Sequence, residues 1–135
     1  MTLVVDASMV VAGLIDTGTD GTWAEALLRS DSLAAPHLMP AEAADILRRA
    51  QLAGDISSDI ASIAHQDLLD LHVEFFSYEP FAARVWALRD NITCYDGWYV
   101  ALAEMLSAPL ATLDGRLAGA PGTRCRFATP PAGQA

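Results

Sequence analysis

The stretch 3-LVVDASMVVAGLI-15 decides the fold. Leu3 to Asp6 is a short, β-rich apolar run without alternation, which suits a strand buried on both faces. Ala7 to Ile15 continues as a helix. Further along, Thr22 to Ser30 carries Trp23, Ala26 and Leu27 at helical spacing behind Asp20 as its N-cap. Ser32 to Pro36 is a strand, and Pro40 opens a helix that runs to about Ala50 and ends near Gly54. A helix follows from Ser58 to Leu71, with Ile60, Ile63, Ala64 and Leu71 on one stripe. Val73 to Tyr78 reads as a strand and Glu79 to Arg89 as a helix bearing Phe81, Val85 and Leu88. Tyr95 to Ser107 is a helix stopped by Pro109, Leu110 to Leu113 a fourth strand, and Cys125 to Thr129 a fifth. Short apolar strands alternating with helices predict an α/β fold, with a mainly parallel sheet of four or five strands covered on both faces. One domain is expected over residues 1–128, followed by a disordered Pro/Gly/Ala tail over 129–135.

Bulk properties narrow the function classes. A chain of 135 residues with 53% hydrophobic side chains can bury one substantial core. No Lys or Arg precedes the apolar start and Asp6 interrupts it, so neither a signal peptide nor a membrane span is expected. Cys94 and Cys125 form no CxxC pair and read as free thiols of a cytoplasmic protein. The net charge is −9, lysine is absent and the eight cations are all arginines, which excludes a diffuse basic surface for nucleic acid. Contact with a polyanion must therefore be local. Arg48-Arg49 and Arg124/Arg126 are the basic clusters, and their simplest reading is solvated surface.

Carboxylates supply the candidate site. In a parallel sheet, binding sites form at the carboxyl ends of the strands. Asp6 ends the first strand and Asp114 the fourth, so both face the same rim. Glu42 lies in the first turn of the helix opened by Pro40, and Asp96 opens the helix beginning at Tyr95. Capping and the helix dipole explain each acid singly. Four on one rim would repel one another, and a divalent cation relieves that repulsion. Donors that are all oxygen select Mg²⁺ or Mn²⁺ over zinc, and His37, His65 and His72 show no HExxH or HxH spacing. Carboxylate-bound Mg²⁺, one ion or a pair, serves phosphodiester hydrolysis by activating water and shielding the phosphate.

Four segments in order carry a resemblance: VDAS at 5–8, PAE at 40–42 followed by DILRR at 45–49, NITCYDGWYVALAE at 91–104, and ATLDGRLA at 111–118. From Leu3 to about Phe127 the chain resembles PIN-domain ribonucleases and, more narrowly, the VapC toxins of bacterial toxin–antitoxin pairs. The resemblance implies a three-layer α/β/α sandwich. It also implies an endoribonuclease dependent on Mg²⁺ or Mn²⁺ that cleaves tRNA, rRNA or mRNA, leaves a 5′-phosphate and a 3′-hydroxyl, and inhibits translation and growth. The implied partners are a cognate VapB-type antitoxin and a second copy of the chain, with DNA met only through the antitoxin.

The family's catalytic and metal-binding acids carry over onto Asp6, Glu42, Asp96 and Asp114. Thr112 matches a hydroxyl residue two positions before the last acid, and Ser8 and Asp45 are candidates to support the site. Arg48, Arg49 and Arg116 are candidates for phosphate contact. Three positions depart from the family pattern. Asp45 replaces a frequent Asn and reads first as an i,i+4 partner of Arg49. Arg116 stands where some relatives carry an acid, which weakens the case for a second metal. Gly97 replaces a common Ala and reads as a loosened first turn. Trp86 and Trp98 have core-like spacing, and Tyr99, on the same face as Asp96, is placed to shape the pocket. Met9 to Ile15 and Trp23 to Leu28 suit either internal packing or an antitoxin groove, and the acids suit an arginine or lysine from that partner.

Two readings stay open beside the toxin: a catalytically inactive PIN-like module that binds RNA or protein, and a stand-alone PIN nuclease without an antitoxin. A phosphoacceptor receiver domain needs a late lysine, which this chain lacks. A haloacid-dehalogenase-type phosphatase needs an Asp where Ser8 stands.

Overall fold

The computed structural model describes residues 1–30 and 32–131. Residues 132–135, more than half of the tail expected to be disordered, lie outside the described residues, as does Asp31. Five strands, β1 (Thr2–Val5), β2 (Ser32–Pro36), β3 (Val73–Phe76), β4 (Leu110–Ala111) and β5 (Phe127–Ala128), form one sheet in the order β3-β2-β1-β4-β5. Every pairing is parallel. β1 is the central strand, and that explains its unalternating composition: Leu3, Val4 and Val5 are all buried because helices cover both faces.

The connections are α1 (Ala7–Ile15), α2 (Thr19–Ser30), α3 (Met39–Leu52), α4 (Ser58–Asp70), a 3-10 turn (Glu79–Phe81), α5 (Ala82–Ala87), α6 (Cys94–Leu106) and the short α7 (Gly115–Ala118). From β1 through β2 to β3 the chain steps outward. From β3 to β4 it crosses back. Right-handed crossovers then place the two sets of helices on opposite faces. The packing agrees: α1 lies against α2, α3 and α4, while α6 runs along β1, β2 and β4 with α5 beside it. The sheet reverses its direction of growth between β1 and β4, so a crevice opens at their carboxyl ends.

Several expected boundaries and faces need correction. Asp6 and Thr112 lie just beyond their strands, and β3 and β5 are shorter than expected. Asp20 is not a cap. It sits inside the first turn of α2, while Asp16, ending α1, accepts from the Gly18 amide at 2.7 Å. Glu79 to Arg89 is not one helix but the 3-10 turn, a six-residue α5 and a loop. In α4 the buried stripe is Ala61, Ala64 and Leu68, whereas Ile60 and Ile63 are exposed. Trp86 is also exposed, but Trp98 packs on the core as expected, edge-on to Tyr78. Met9, Val10, Val11 and Ala12 are buried, which favours internal packing for that part of α1.

One tie was not foreseen. Glu104 on α6 accepts from Arg84 Nε at 2.7 Å and Nη2 at 3.1 Å, and from the Arg124 amide at 2.8 Å. Arg84 also donates to the Gly122 carbonyl at 2.8 Å, so α5, α6 and the loop before β5 are joined at one point. Burial opposes the Glu104 charge, but the bonds from Arg84 and Arg124 outweigh it and hold the carboxyl below its usual value. Glu104→Ala would leave Arg84 half-buried without its anion. It is expected to cost about 2 kcal/mol in urea unfolding. A neutral result would mean that water replaces the carboxylate.

Candidate active site

The crevice at the carboxyl ends of β1 and β4 is built from four separate segments. Asp6 leaves β1 and caps α1: its Oδ1 accepts from the Met9 amide at 2.9 Å and from Ser8 Oγ at 2.7 Å. Only 7% of Asp6 is exposed. Its neighbour across the β1–β4 pairing is Thr112, which is fully buried. The Thr112 hydroxyl accepts from the Asp114 amide at 2.9 Å, and its nearness to Asp6 favours the charged carboxylate there. Thr112 thus stands between the two strand-end acids. Asp114 in turn caps α7, accepting from the amides of Arg116 at 3.0 Å and Leu117 at 3.3 Å. Ser8 completes the link by accepting from the Leu113 amide at 3.4 Å.

The other two acids come from helix starts. Asp96 lies in the first turn of α6 but does not cap it; Thr93 does, its Oγ1 accepting from the Asp96 amide at 3.1 Å. The signal for Thr93 was present in the sequence, as a threonine three residues before the first-turn acid. Capping therefore fails as an explanation of Asp96. Gly97 is buried, and a Cβ there would stand 3.2 Å from Val85 Cγ1. The glycine lets α6 approach α5 closely, which corrects its reading as a loosened turn. Glu42 occupies the first turn of α3, after Pro40 at the helix start. Tyr99, buried on α6, donates its phenol hydrogen to Glu42 Oε1 at 2.6 Å and couples the two helices across the crevice.

All four acids line one cleft of about 620 Å³, together with Ser8, Asp45 and Tyr99. Burial is the main cause that raises the Asp6 carboxyl above its ordinary value, with the Asp114 charge adding to it against the bonds from Thr112, Met9 and Ser8. Burial again leads for Glu42, followed by the charges of Asp96 and Asp6, while Tyr99 opposes them. Asp96 is raised by burial, then by Asp114 and Asp6, and Arg116 partly offsets this. The Tyr99 phenol is raised as well, by burial first and then by the Glu42 acceptor.

The supporting candidates divide. Arg48 and Arg49 both turn to Asp45, at 3.5 and 3.4 Å, in exposed pairs that contribute little to stability. Arg49 still borders the acid cleft, whereas Arg116 lines the adjoining one. Cys94 and Cys125 are free, and burial pushes the Cys125 thiol up to about 11.

Among the described residues, no group of three or more His, Cys, Asp or Glu side chains stands in an arrangement that holds a metal. The acids share a space without forming a closed cage. The donor chemistry nevertheless fits a hard divalent cation: neither His nor Cys lines the cleft, and three carboxyls are raised by burial and by neighbouring carboxylate charge. Mg²⁺ keeps several waters and does not need an all-protein cage, so an open set of acids is compatible with it.

No family model matches the chain. Individual proteins do. It is 42% identical over 125 residues to Ribonuclease VapC1 of Mycobacterium tuberculosis, covering 92% of this chain and 94% of that one. Two solved structures share the fold. Mycobacterium tuberculosis VapC20, described as a Sarcin-Ricin loop cleaving toxin, has a TM-score of 0.67 at 15% identity and covers 90% of this chain and 96% of its own. VapBC2 of Rickettsia felis, solved bound to a DNA fragment from its promoter, has a TM-score of 0.66 at 15% identity and covers 97% and 100%. Identity at this level along nearly the whole length, on a parallel sheet of the same architecture, means that the chain belongs to the VapC ribonucleases of the PIN-domain fold.

Proposed function

We propose that the chain is the toxin of a toxin–antitoxin pair, an endoribonuclease that hydrolyses RNA phosphodiesters with Mg²⁺ or Mn²⁺ at the four-acid cleft. One observation carries the reading: acids from four separate segments line a single cleft, and three of them, Asp6, Glu42 and Asp96, hold their protons more tightly there because of burial and neighbouring carboxylate charge. A cation relieves that cost, and RNA is a substrate such a pairing suits. The name of VapC1 supports the substrate class, and the Rickettsia felis pair supports the partner, a cognate VapB-type antitoxin. A homodimer within a larger toxin–antitoxin complex, touching DNA only through the antitoxin, belongs to the same reading, as does action in the cytoplasm. Among the described residues no helix is long and apolar enough to cross a membrane.

Asp6, Asp96 and Asp114 would hold the cation, with Glu42 as a further ligand or as the group that orients water. When bound, the ion supplies positive charge against the phosphate and a water that ionises more readily. Ser8 and the Met9 amide fix the Asp6 carboxylate by hydrogen bonds, so its approach is set before substrate arrives. Tyr99 fixes Glu42 through Oε1. Glu42 Oε2 is then the atom assigned to take the proton of the attacking water. The water oxygen bonds to phosphorus, the bond from phosphorus to the 3′-oxygen breaks, and that oxygen takes a proton from solvent, so the products are a 5′-phosphate and a 3′-hydroxyl.

Tyr99→Phe removes the bond that lowers the Glu42 proton affinity. Glu42 then stays protonated to higher pH and loses the contact that positions it, so the acid limb of the pH–rate profile is expected to move upward, and the lost positioning to lower kcat about 10-fold. An unchanged profile would show that Glu42 does not titrate in the reaction.

The full reading is tested by incubating the purified protein with cellular RNA in Mg²⁺ or Mn²⁺ and mapping new ends. New 5′-phosphate ends with wild type and none with Asp6→Asn are expected. Correctly folded wild type that cuts no RNA and does not arrest growth when expressed without its antitoxin would sink the proposal.

A further inference from the structure

Beside the acid cleft lies a second one of about 710 Å³, which shares Asp96 and Asp114 with it and is bordered by Arg89 and Arg116. In a chain of net charge −9, two cations on one cleft are informative. Among the described residues, ion pairs tie Arg29, Arg48, Arg49 and Arg84 to carboxylates, and none ties Arg89 or Arg116. Asp90 also borders the cleft, yet Arg89 turns to an aromatic partner instead. Its guanidinium carbon stands 4.6 Å from the centre of the Trp86 ring, and its Nη1 donates to the Trp86 carbonyl at 2.8 Å. Trp86 is 60% exposed, so this stack sits in water rather than in the core. Trp86 itself lies outside the cleft lining, and within that lining Asn91 Nδ2 donates to the Pro121 carbonyl at 3.0 Å.

We propose that this second cleft is the subsite for single-stranded RNA flanking the bond to be cut, with Arg89 and Arg116 meeting backbone phosphates and the Arg89–Trp86 stack receiving an unpaired base. The inference rests on the ribonuclease reading and extends it. Four acids repel a polyanion, so much of the attraction for the strand must come from beside them. A guanidinium stacked on an indole offers both charge and a flat face, the two features that single strands use. Its sharing of Asp96 and Asp114 with the acid cleft places any nucleotide bound there next to the reacting phosphate.

The test uses the full-length Asp6→Asn protein, which should bind without cutting, and a fluorescein-labelled mixed-sequence RNA of about 12 nucleotides, followed by anisotropy across a salt series. Adding Trp86→Ala is expected to weaken binding about 5- to 100-fold with the salt slope unchanged. Arg89→Gln and Arg116→Gln should each flatten the slope by about 0.7. Arg89→Lys should keep the slope but lose affinity, because its ammonium does not stack as a plane. Binding that is absent in the background protein, or unchanged by Trp86→Ala and Arg89→Gln in variants with unaltered melting, would overturn the subsite. Wild type that binds through this cleft but cuts no RNA would instead defeat the ribonuclease reading alone.

Discussion

Asp6→Asn is expected to slow RNA cleavage by about 10²- to 10³-fold and, in metal-free buffer, to melt at a higher temperature than wild type. The two effects have one cause. In the fold Asp6 is buried beside Asp114, and its carboxyl is held above the ordinary 3.8. A folded value above the unfolded one means that the native state binds the extra proton. The stability this contributes is present below pH 3.8 and is lost as pH rises through the folded value. Glu42 and Asp96 shift in the same direction, from 4.5 and 3.8. Metal-free wild type should therefore lose stability from about pH 4.5 toward neutrality, a trend that Glu104, shifted the other way, opposes only on the acid side of 4.5. Asparagine keeps the cap for Met9 and the hydroxyl contacts without the charge. The activity lost is the anionic donor itself. Single-turnover cleavage and a melting series against pH measure both. A variant that cuts normally, or one that melts lower throughout, would contradict the assigned role.

Gly21→Ala is expected to lower stability by about 3 kcal/mol, the largest loss of fold among the substitutions considered. Gly21 is buried on α2 where that helix turns back on the end of α1. An added Cβ would fall on the carbonyl oxygen and carbon of Asp16. That backbone cannot easily yield: the Asp16 amide donates to Ala12 at 3.0 Å and its carboxylate holds the Gly18 amide. Alanine gains up to about 1 kcal/mol of helix propensity over glycine, which does not offset a collision with main chain. Urea unfolding reads the difference, and cleavage per folded molecule should be unchanged at low temperature. Equal stability would show that α1 and α2 move apart freely.

Much of this arrangement could be read from composition and order. Leu3 to Val5 mark a strand covered on both faces, and the rule that sites form at strand ends points to Asp6 and Asp114 from sequence alone. What one-dimensional reading did not resolve was which face of a helix meets the core. In α4 both the Ile60/Ile63 and the Ala61/Ala64/Leu68 stripes are apolar at helical spacing, and the small side chains won because helices cross closely there. Trp86 failed for the same reason: its spacing suggested burial, but α5 turns Val85 to the core and leaves the indole on its outer face. The Arg84–Glu104 tie and the cleft shared by Arg89 and Arg116 join residues 20 or more apart, with no local pattern to mark them. Gly97 was judged by propensity alone, whereas its cause is Val85 on a neighbouring helix.

The proposal that the four acids act as one cation site has a direct thermal test. Melting temperature followed against Mn²⁺ at neutral pH should rise for wild type by roughly 10 °C at a hundredfold excess over Kd, equivalent to about 2.7 kcal/mol. Asp6→Asn and Asp96→Asn should start higher and stay nearly flat, so that the order of the curves inverts as the ion is added. Wild type that does not respond, or variants that rise in parallel with it, would show that these carboxylates do not hold a metal together.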